Sequence, residues 1–373
     1  MATILQLMVL EDDDDQYQTY SDTADDLNDE QVIYNLTRMK SAPEARDALL
    51  SSNFDCAIID LNLDTSNPQE ASGNGVLSEI LKSHRFPVFV VSGNLGHLLP
   101  SIQGSVSTFL KLYDREKPND EIFSEMKKIY LTGITDILGG RGDIEKKLGE
   151  IFWNHLANDL DVWTEKDNLH ESALLRYTVS HLSEYLDTPS DQSGYYHEAE
   201  FYIKPPIREH IASGDIVQKG DMRYIVLSPA CDISVRGIDD KEKPLINAKR
   251  ITLAKLIKIQ RQDFVDHGII KETTNSSSRE SALSKIITGQ SDKHVFLPGY
   301  KMLHPSVADL QNLYSIDFDE YQSDYERIAT VSSPFLKDIQ AKFSAYYGRQ
   351  GQPELNKGEL IKEYKKELSP PVK

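Results

Sequence analysis

Short, almost uninterrupted apolar runs recur through the first 130 residues, each ending near a polar side chain. TILQLMVL stops at Glu11 and Asp12, QVIYNLTRMKS follows, FDCAIIDL closes on Asp60, FPVFVVSG on Ser92, and VSTFLKL carries Lys111. Continuous runs of this kind suit strands buried on both faces, as in a parallel sheet covered by helices. Between them, PEARDALLSSN reads as a helix opened by Pro43, GVLSEILKSH as a short helix, and DEIFSEMKKIYL as the closing one. The alternation predicts βαβ units and a doubly wound, five-stranded parallel sheet. In such sheets ligands gather beyond the carboxyl ends of the strands, where strand order reverses. The polar ends of the runs therefore converge, and Asp60 in CAIIDLNLD sits at the one edge where a carboxylate is solvated and usable.

Three carboxylates at one edge, Glu11, Asp12 and Asp60, repel one another unless a cation joins them. Oxygen ligands select a hard ion, Mg2+ or a similar one. Such an ion neutralises phosphoryl oxygens, while Lys111 adds a point charge and Ser92 a hydroxyl donor. Asp60 is then the candidate nucleophile, becoming an aspartyl phosphate. The plainer alternative leaves Asp12 and Asp60 as solvated strand ends, with Lys111 paired to one of them. Of the acidic run, only Glu11 and Asp12 need be in the site; Asp13 to Asp15 are expected to cap the next helix, where negative charge is favoured.

The constellation and its order (acidic pair, Asp, Ser, Lys) resemble the receiver domain of two-component response regulators over the first third of the chain. The resemblance implies a flavodoxin-like fold, Asp12 as direct ligand of Mg2+, Glu11 acting mainly through water, and the backbone carbonyl of Asn62 as a further ligand. It also implies a histidine-kinase-like partner that phosphorylates Asp60. The sequence departs from the family in three places. Asp64 stands at the fourth position after Asp60, where the family has Pro, and Gly73 and Gly75 come late. Leu112 follows Lys111 where the family has Pro, and Thr108 replaces the switch aromatic, with Phe109 beside it.

The remainder of the chain carries less chemistry. GITDILGGRGDIEKKLGEIFWNHLANDLDVWTEK sets Asp143 before a stripe of Ile144, Leu148, Ile151, Phe152 and Leu156, and ESALLRYTVSHLSEYL is a second helical pattern. These helices are a candidate homodimer interface or lever, with plain packing against the receiver-like region as the equal alternative. Trp153, His155 and Trp163 read as packing residues, and His155, His170 and His181 lie too far apart in sequence to suggest a metal site. Further on, GDIVQKGDMRYIVLSP reads as a hairpin about a Gly-Asp turn. PLINAKRITLAKLIKI is expected to mix strand and helix, KETTNSSSRESALSK to be a polar loop, HVFLPGY and LYSIDFDEY to be strands, and SPFLKDIQAKFSAYYGRQG a helix. The tail from Glu354 reads as frayed. Together these predict an α+β domain with a possible small β-barrel.

SPACDI offers Cys231 as a nucleophile beside Asp232, with His197 or His210 as base; the plainer reading is a small buried thiol at a strand end. The strand pair is faintly similar to the SH3-like barrel of toxin ribonucleases, with Lys204, Arg208, Lys249 and Arg250 as cations for a cleft. The terminal aromatics Phe343, Tyr346 and Tyr347, with Arg349, read as packing or an interaction face. The layout also resembles receiver-like proteins encoded beside histidine-kinase-like ATPases in bacterial defence loci, with an SPxCD-type signature.

At 373 residues the chain exceeds one small core. The expected division is 1–133 receiver-like, 134–195 helical connector, and 196–373 α+β output domain with a charged tail. A net charge of -18, with ten acidic and no basic residues among the first 30, disfavours a large nucleic-acid footprint. No helix-turn-helix with a basic recognition helix is evident. Two cysteines point to a reducing compartment without disulfides. The absence of a leader-like start or a membrane-length apolar run makes cytoplasmic placement the expectation. The leading functional expectation is a signalling protein phosphorylated on Asp60. The alternatives are a receiver-controlled effector enzyme such as a nuclease, or a pseudo-receiver scaffold that is not phosphorylated.

Overall fold

Five parallel strands form the first sheet: β1 (Thr3–Leu10), β2 (Val32–Met39), β3 (Cys56–Ile59), β4 (Val88–Val91) and β5 (Leu110–Tyr113). Their order in space is β2-β1-β3-β4-β5, the flavodoxin-like arrangement whose switch point lies between β1 and β3. The computed structural model describes residues 2–63, 73–158, 163, 170–187, 195–238, 244–349 and 353–365. Asp64 and the rest of the loop expected after Asp60 lie outside the described residues.

Strand periodicity sorts the sheet's side chains into two cores. Ala57, Ile59, Val88 and Val90 pack towards α2 (Ala42–Ser51) and α3 (Gly73–Ser83). Cys56, Ile58, Phe89 and Val91 pack towards Tyr20 and Ala24 of α1 (Asp14–Leu27). The same core takes Ile122, Phe123 and Met126 of α5 (Asn119–Tyr130), which follows a short α4 (Pro100–Gln103). Each large side chain buried this way contributes about 1.5–3 kcal/mol. The acidic run behaves as read: Asp13 caps α1, its Oδ1 accepting from the Asp15 and Gln16 amides at 2.9 and 3.0 Å.

Beyond the sheet lie α6 (Ile134–Leu138), α7 (Asp143–Ile151) and α8 (His170–Asp187). The stripe predicted from Ile144 does not run through to Leu156. Residues Phe152–Leu156 form a π turn, whose extra residue per turn rotates the stripe off its face. Ile151 is buried, whereas Phe152 and Trp153 are exposed, stacked edge-on at 5.0 Å.

The chain divides into two compact units, residues 1–192 and 193–373. The second unit holds a seven-stranded sheet in the order β12-β13-β11-β8-β7-β14-β6, antiparallel throughout. Its strands are β6 (Tyr202–Ile203), β7 (Asp215–Lys219), β8 (Met222–Val226), β11 (Arg250–Lys258), β12 (His294–Leu297), β13 (Ser306–Asp317) and β14 (Glu326–Val331). A separate two-stranded pair joins β9 (Gly237–Ile238) to β10 (Pro244–Leu245). β12 and β6 stand at opposite edges with no pairing between them among the described residues, so the sheet is open and not a closed barrel. The β7–β8 hairpin turns at Gly220, whose φ of 59° is the left-handed value this turn needs.

Four expectations fail here. LYSIDFDEY is strand only as far as Asp317, and its last four residues begin the helix Phe318–Asp324. PLINAKRITLAKLIKI contains no helix; ITLAKLIK alternates between two buried faces and forms β11. KETTNSSSRESALSK supplies a helix, Ser276–Ile287, because Asn275 accepts from the Ser278 amide at 2.8 Å and so acts as its N-cap. The charged tail forms another, Lys357–Tyr364, capped by Asn356. The helix Ser333–Gly348 lays Phe335, Leu336, Ile339, Phe343 and Tyr346 on one face of the sheet. A buried polar knot pins β7 to β14: Asp215 accepts from Thr330 Oγ1 (2.6 Å), Arg327 Nε (2.7 Å) and the Ala212 amide (2.7 Å). Among the described residues, no helix is long and apolar enough to cross a membrane.

Candidate functional site

The carboxyl ends of β1, β3 and β4 are brought level by backbone bonds just beyond the strands. Asp60 donates its amide to Leu10 O at 2.9 Å, Glu11 to Met39 O at 3.0 Å, and Ser92 to Tyr113 O at 3.1 Å. Glu11, Asp12 and Asp60 each offer a carboxylate oxygen within 4.8 Å of the others. Glu11 and Asp60 expose 1% and 2% of their surface, and Ser92 is fully buried. Glu11 also accepts from the Asp13 amide at 3.2 Å. Arg38 braces the acidic loop from beneath, donating to the carbonyls of Glu11 (3.0 Å) and Asp12 (2.9 Å).

Asn62 joins this edge as expected, its amide donating to Asp60 Oδ1 at 3.2 Å and its side-chain NH2 to Ser92 Oγ at 3.4 Å. A residue that the sequence did not single out holds it there. His97 Nδ1 lies 2.7 Å from Asn62 Oδ1, and Asn94 Nδ2 lies 3.2 Å from His97 Nε2, an arrangement that a neutral ring protonated on Nδ1 satisfies at both nitrogens. Asn74 fixes the segment by donating to His97 O (2.9 Å) and accepting from the Leu99 amide (3.1 Å).

Lys111 is not in this cluster. In β5 it pairs with Phe89 of β4, so its side chain leaves the sheet on the α5 side. There its ammonium is bonded to Glu125, which also accepts from Tyr113 at 2.7 Å, and Lys111 holds the Glu125 carboxyl below its ordinary range. The cation that reaches the acids is Arg115. Its Nη2 lies 2.7 Å from Asp60 Oδ2 and 3.4 Å from both Glu11 oxygens. Strand register decides this: β5 runs on to Tyr113, which is level with Val91, so the residues past Tyr113 are those at the ligand edge, a register that the sequence alone does not carry.

Burial and the neighbouring Asp60 charge push Glu11 up to about 7, against the pull of Arg115. Partial burial likewise holds Asp12 above its ordinary value. Carboxylates crowded in this way release that strain when a cation is added, and an all-oxygen donor set fits a hard divalent ion. The residues present therefore suit Mg2+.

The other candidates resolve as follows. Cys231 is exposed, in a single turn of helix (Ala230–Ile233), with its thiol 3.7 Å from Asp232 Oδ1. Exposure overturns the buried-thiol reading, because the thiol lies on a helical turn and not within a strand. His197 is occupied in capping Glu198–Phe201, accepting from the Ala199 amide at 3.0 Å. Arg250 is bonded to Asp317 (2.9 Å) and Ser315 (2.9 Å). Phe343 and Tyr346 pack on the sheet, with Arg349 over the Tyr346 ring at 4.4 Å. His155 and His181, far apart in sequence, have ring centres 4.9 Å apart, and His155 Nε2 meets Tyr185 OH at 2.9 Å. Among the described residues the acidic trio is the one group of three metal-ligating side chains.

No family model and no curated protein matches the chain. Solved structures do. A receiver domain from Methylobacillus flagellatus is 16% identical, covering 35% of this chain and 98% of its own, with a TM-score of 0.27. The phosphorylated cyanobacterial phytochrome response regulator RcpA is 18% identical over 37% of this chain and 99% of its own, at 0.27. The response regulator TrrA from Thermotoga maritima, in complex with Mg2+ and BeF, is 16% identical over 34% and 98%, at 0.28. The fold of the first unit rests on its strand order.

Proposed function

We propose that residues 1–133 work as a phosphoacceptor in a signalling protein, taking a phosphoryl group on Asp60 from a histidine-kinase-like partner and relaying the change to residues 196–373. The observation that carries this reading is the buried Asp60 carboxylate, held level with Glu11, Asp12 and Ser92 and touched by a cation, Arg115. Glu11, Asp12, Asp60 and the Asn62 carbonyl would hold Mg2+. When bound, the ion neutralises the phosphoryl oxygens.

Asp60 Oδ2 attacks phosphorus, a P–O bond forms, and the P–N bond to the donor imidazole breaks, with the electron pair returning to the ring. For this, Arg115 must swing from Oδ2 to the incoming phosphoryl oxygens, which its planar fork of donors suits better than an ammonium does. Ser92 Oγ accepts from the Asn62 side chain, which leaves its own hydroxyl proton to donate to a phosphoryl oxygen. Arg115 thus takes the part that the resemblance assigned to Lys111. The test is uptake of beryllofluoride with Mg2+ by the wild type and by Asp60→Asn. Saturable uptake lost in the variant is the expected result. Uptake by neither overturns the reading and leaves a docking fold.

A further inference from the structure

The formal charge of the chain is confined to one unit. Residues 1–192 hold 15 Lys and Arg against 34 Asp and Glu, whereas residues 193–373 hold 26 against 25. Within that near-neutral second unit, β8 and β11 pair from Val226↔Leu253 to Tyr224↔Lys255, and both then run past the last pair, to Met222 and Lys258. Each keeps its other neighbour, β7 or β13, to the end. The strand ends therefore part without a partner between them, and a cleft of about 270 Å³ opens there.

The cleft is lined by Arg223 from β8, Lys255 and Lys258 from β11, and two imidazoles, His267 and His304. Among the described residues, none of the three cations forms an ion pair, although Asp221 and Asp263 also line the walls. Arg223 spends only its Nε, on Gln218 Oε1 at 3.0 Å, which leaves its two terminal nitrogens for another acceptor. Lys255 Nζ lies 3.3 Å from His267 Nε2, and His267 Nδ1 lies 2.8 Å from the Asp263 carbonyl. Nε2 faces the ammonium and Nδ1 the carbonyl, so His267 orients Lys255 without cancelling its charge. Arg223 and Lys255 are partly buried, where an uncompensated cation is costly and an anion is the natural complement.

We propose that this cleft is a binding site for a small phosphorylated ligand, with Arg223 gripping two phosphoryl oxygens and Lys255 and Lys258 neutralising the rest. The forked donors of Arg223 favour a tetrahedral oxyanion over a halide. Pockets for drug-sized ligands begin at about 300 Å³, so the volume limits the occupant to a phosphate or diphosphate group with a small attached body. The site is independent of Asp60.

The test is calorimetric titration of the full chain with inorganic phosphate, pyrophosphate and a nucleoside monophosphate, at matched ionic strength with EDTA present. Saturable binding of at least one is expected, weakened about tenfold or more in Arg223→Gln and in Lys255→Gln, which each remove a charge-assisted bond. Lys258→Gln, an exposed position that does not threaten folding, is expected to weaken it less, and Lys337→Gln on the helix Ser333–Gly348 not at all. Phosphate and nucleotide binding equally would place all recognition in the phosphoryl group, and tighter nucleotide binding would add a contact to its body. No saturable binding by any probe, or binding unchanged in all three cleft variants, overturns the proposal.

Discussion

Asp60 and Arg115 decide how the acidic edge behaves, and the Arg115 side chain is only partly exposed, at 37%. If Arg115 is the phosphoryl-contacting cation, Arg115→Gln should weaken beryllofluoride uptake about tenfold or more, the loss of one charge-assisted bond. Lys111→Gln should leave that affinity within about twofold, since Lys111 serves Glu125 instead. A reversal of that order in a fluoride-complex titration would return the role to Lys111. Glu11 gives a second contrast. Burial and Asp60 push its carboxyl up to about 7, so above neutral pH its ionisation works against the fold. Glu11→Gln is therefore expected to raise the melting temperature in EDTA above neutral pH, and to lower Mg2+ affinity measured by calorimetry. A fall in melting temperature there would show that the bond to Arg115 outweighs the burial cost.

At the scale of elements, the site depends on how closely α3 approaches β3. A Cβ at Gly73 would overlap the Asp60 carbonyl oxygen and lie 2.9 Å from Leu61 Cα, both of them backbone atoms. Gly73→Ala should accordingly destabilise the first unit by about 1–3 kcal/mol in urea and reduce Mg2+-dependent uptake, since relief requires moving Asp60 itself. In the second unit the comparable point is Asp215. Removing the carboxylate in Asp215→Ala strands Arg327 against a buried wall, and a loss of about 3–5 kcal/mol by denaturant titration is expected. A loss under about 1 kcal/mol would mean that the carbonyls of Arg208 and Glu209, which Arg327 also reaches, suffice.

For the whole molecule, the two units have separate cores, and the first is strongly acidic while the second is near neutral. Residues 1–192 expressed alone should retain the beryllofluoride affinity of the full chain, as every side chain at the acidic edge lies within them. Failure of that fragment to bind while the full chain binds would tie the acidic edge to the second unit. The second unit carries its own acid sensitivity. Burial holds His294 below its ordinary value, against the pull of Asp309. The unfolded chain therefore takes up a proton below about 6.5 that the folded one resists, and stability present above that pH is lost as pH falls. His294→Gln should flatten the fall in melting temperature on the acid side, read for the second unit by near-ultraviolet dichroism.

The sequence by itself determined the parallel sheet, because strands buried on both faces must be written as unbroken apolar runs. It determined too that Glu11, Asp12, Asp60, Asn62 and Ser92 meet, since all of them end or follow such runs at one edge. What it left to the tertiary structure was anything set by register or by a partner from elsewhere in the chain. Lys111 missed the site by its position along the strand: it is level with Phe89, short of the Ser92 edge, a register that a single run of letters does not reveal. Arg115 and His97 entered through loops whose paths depend on the packed sheet. The cleft of Arg223, Lys255 and Lys258 exists only because two antiparallel strands from separate stretches of the chain pair and then part.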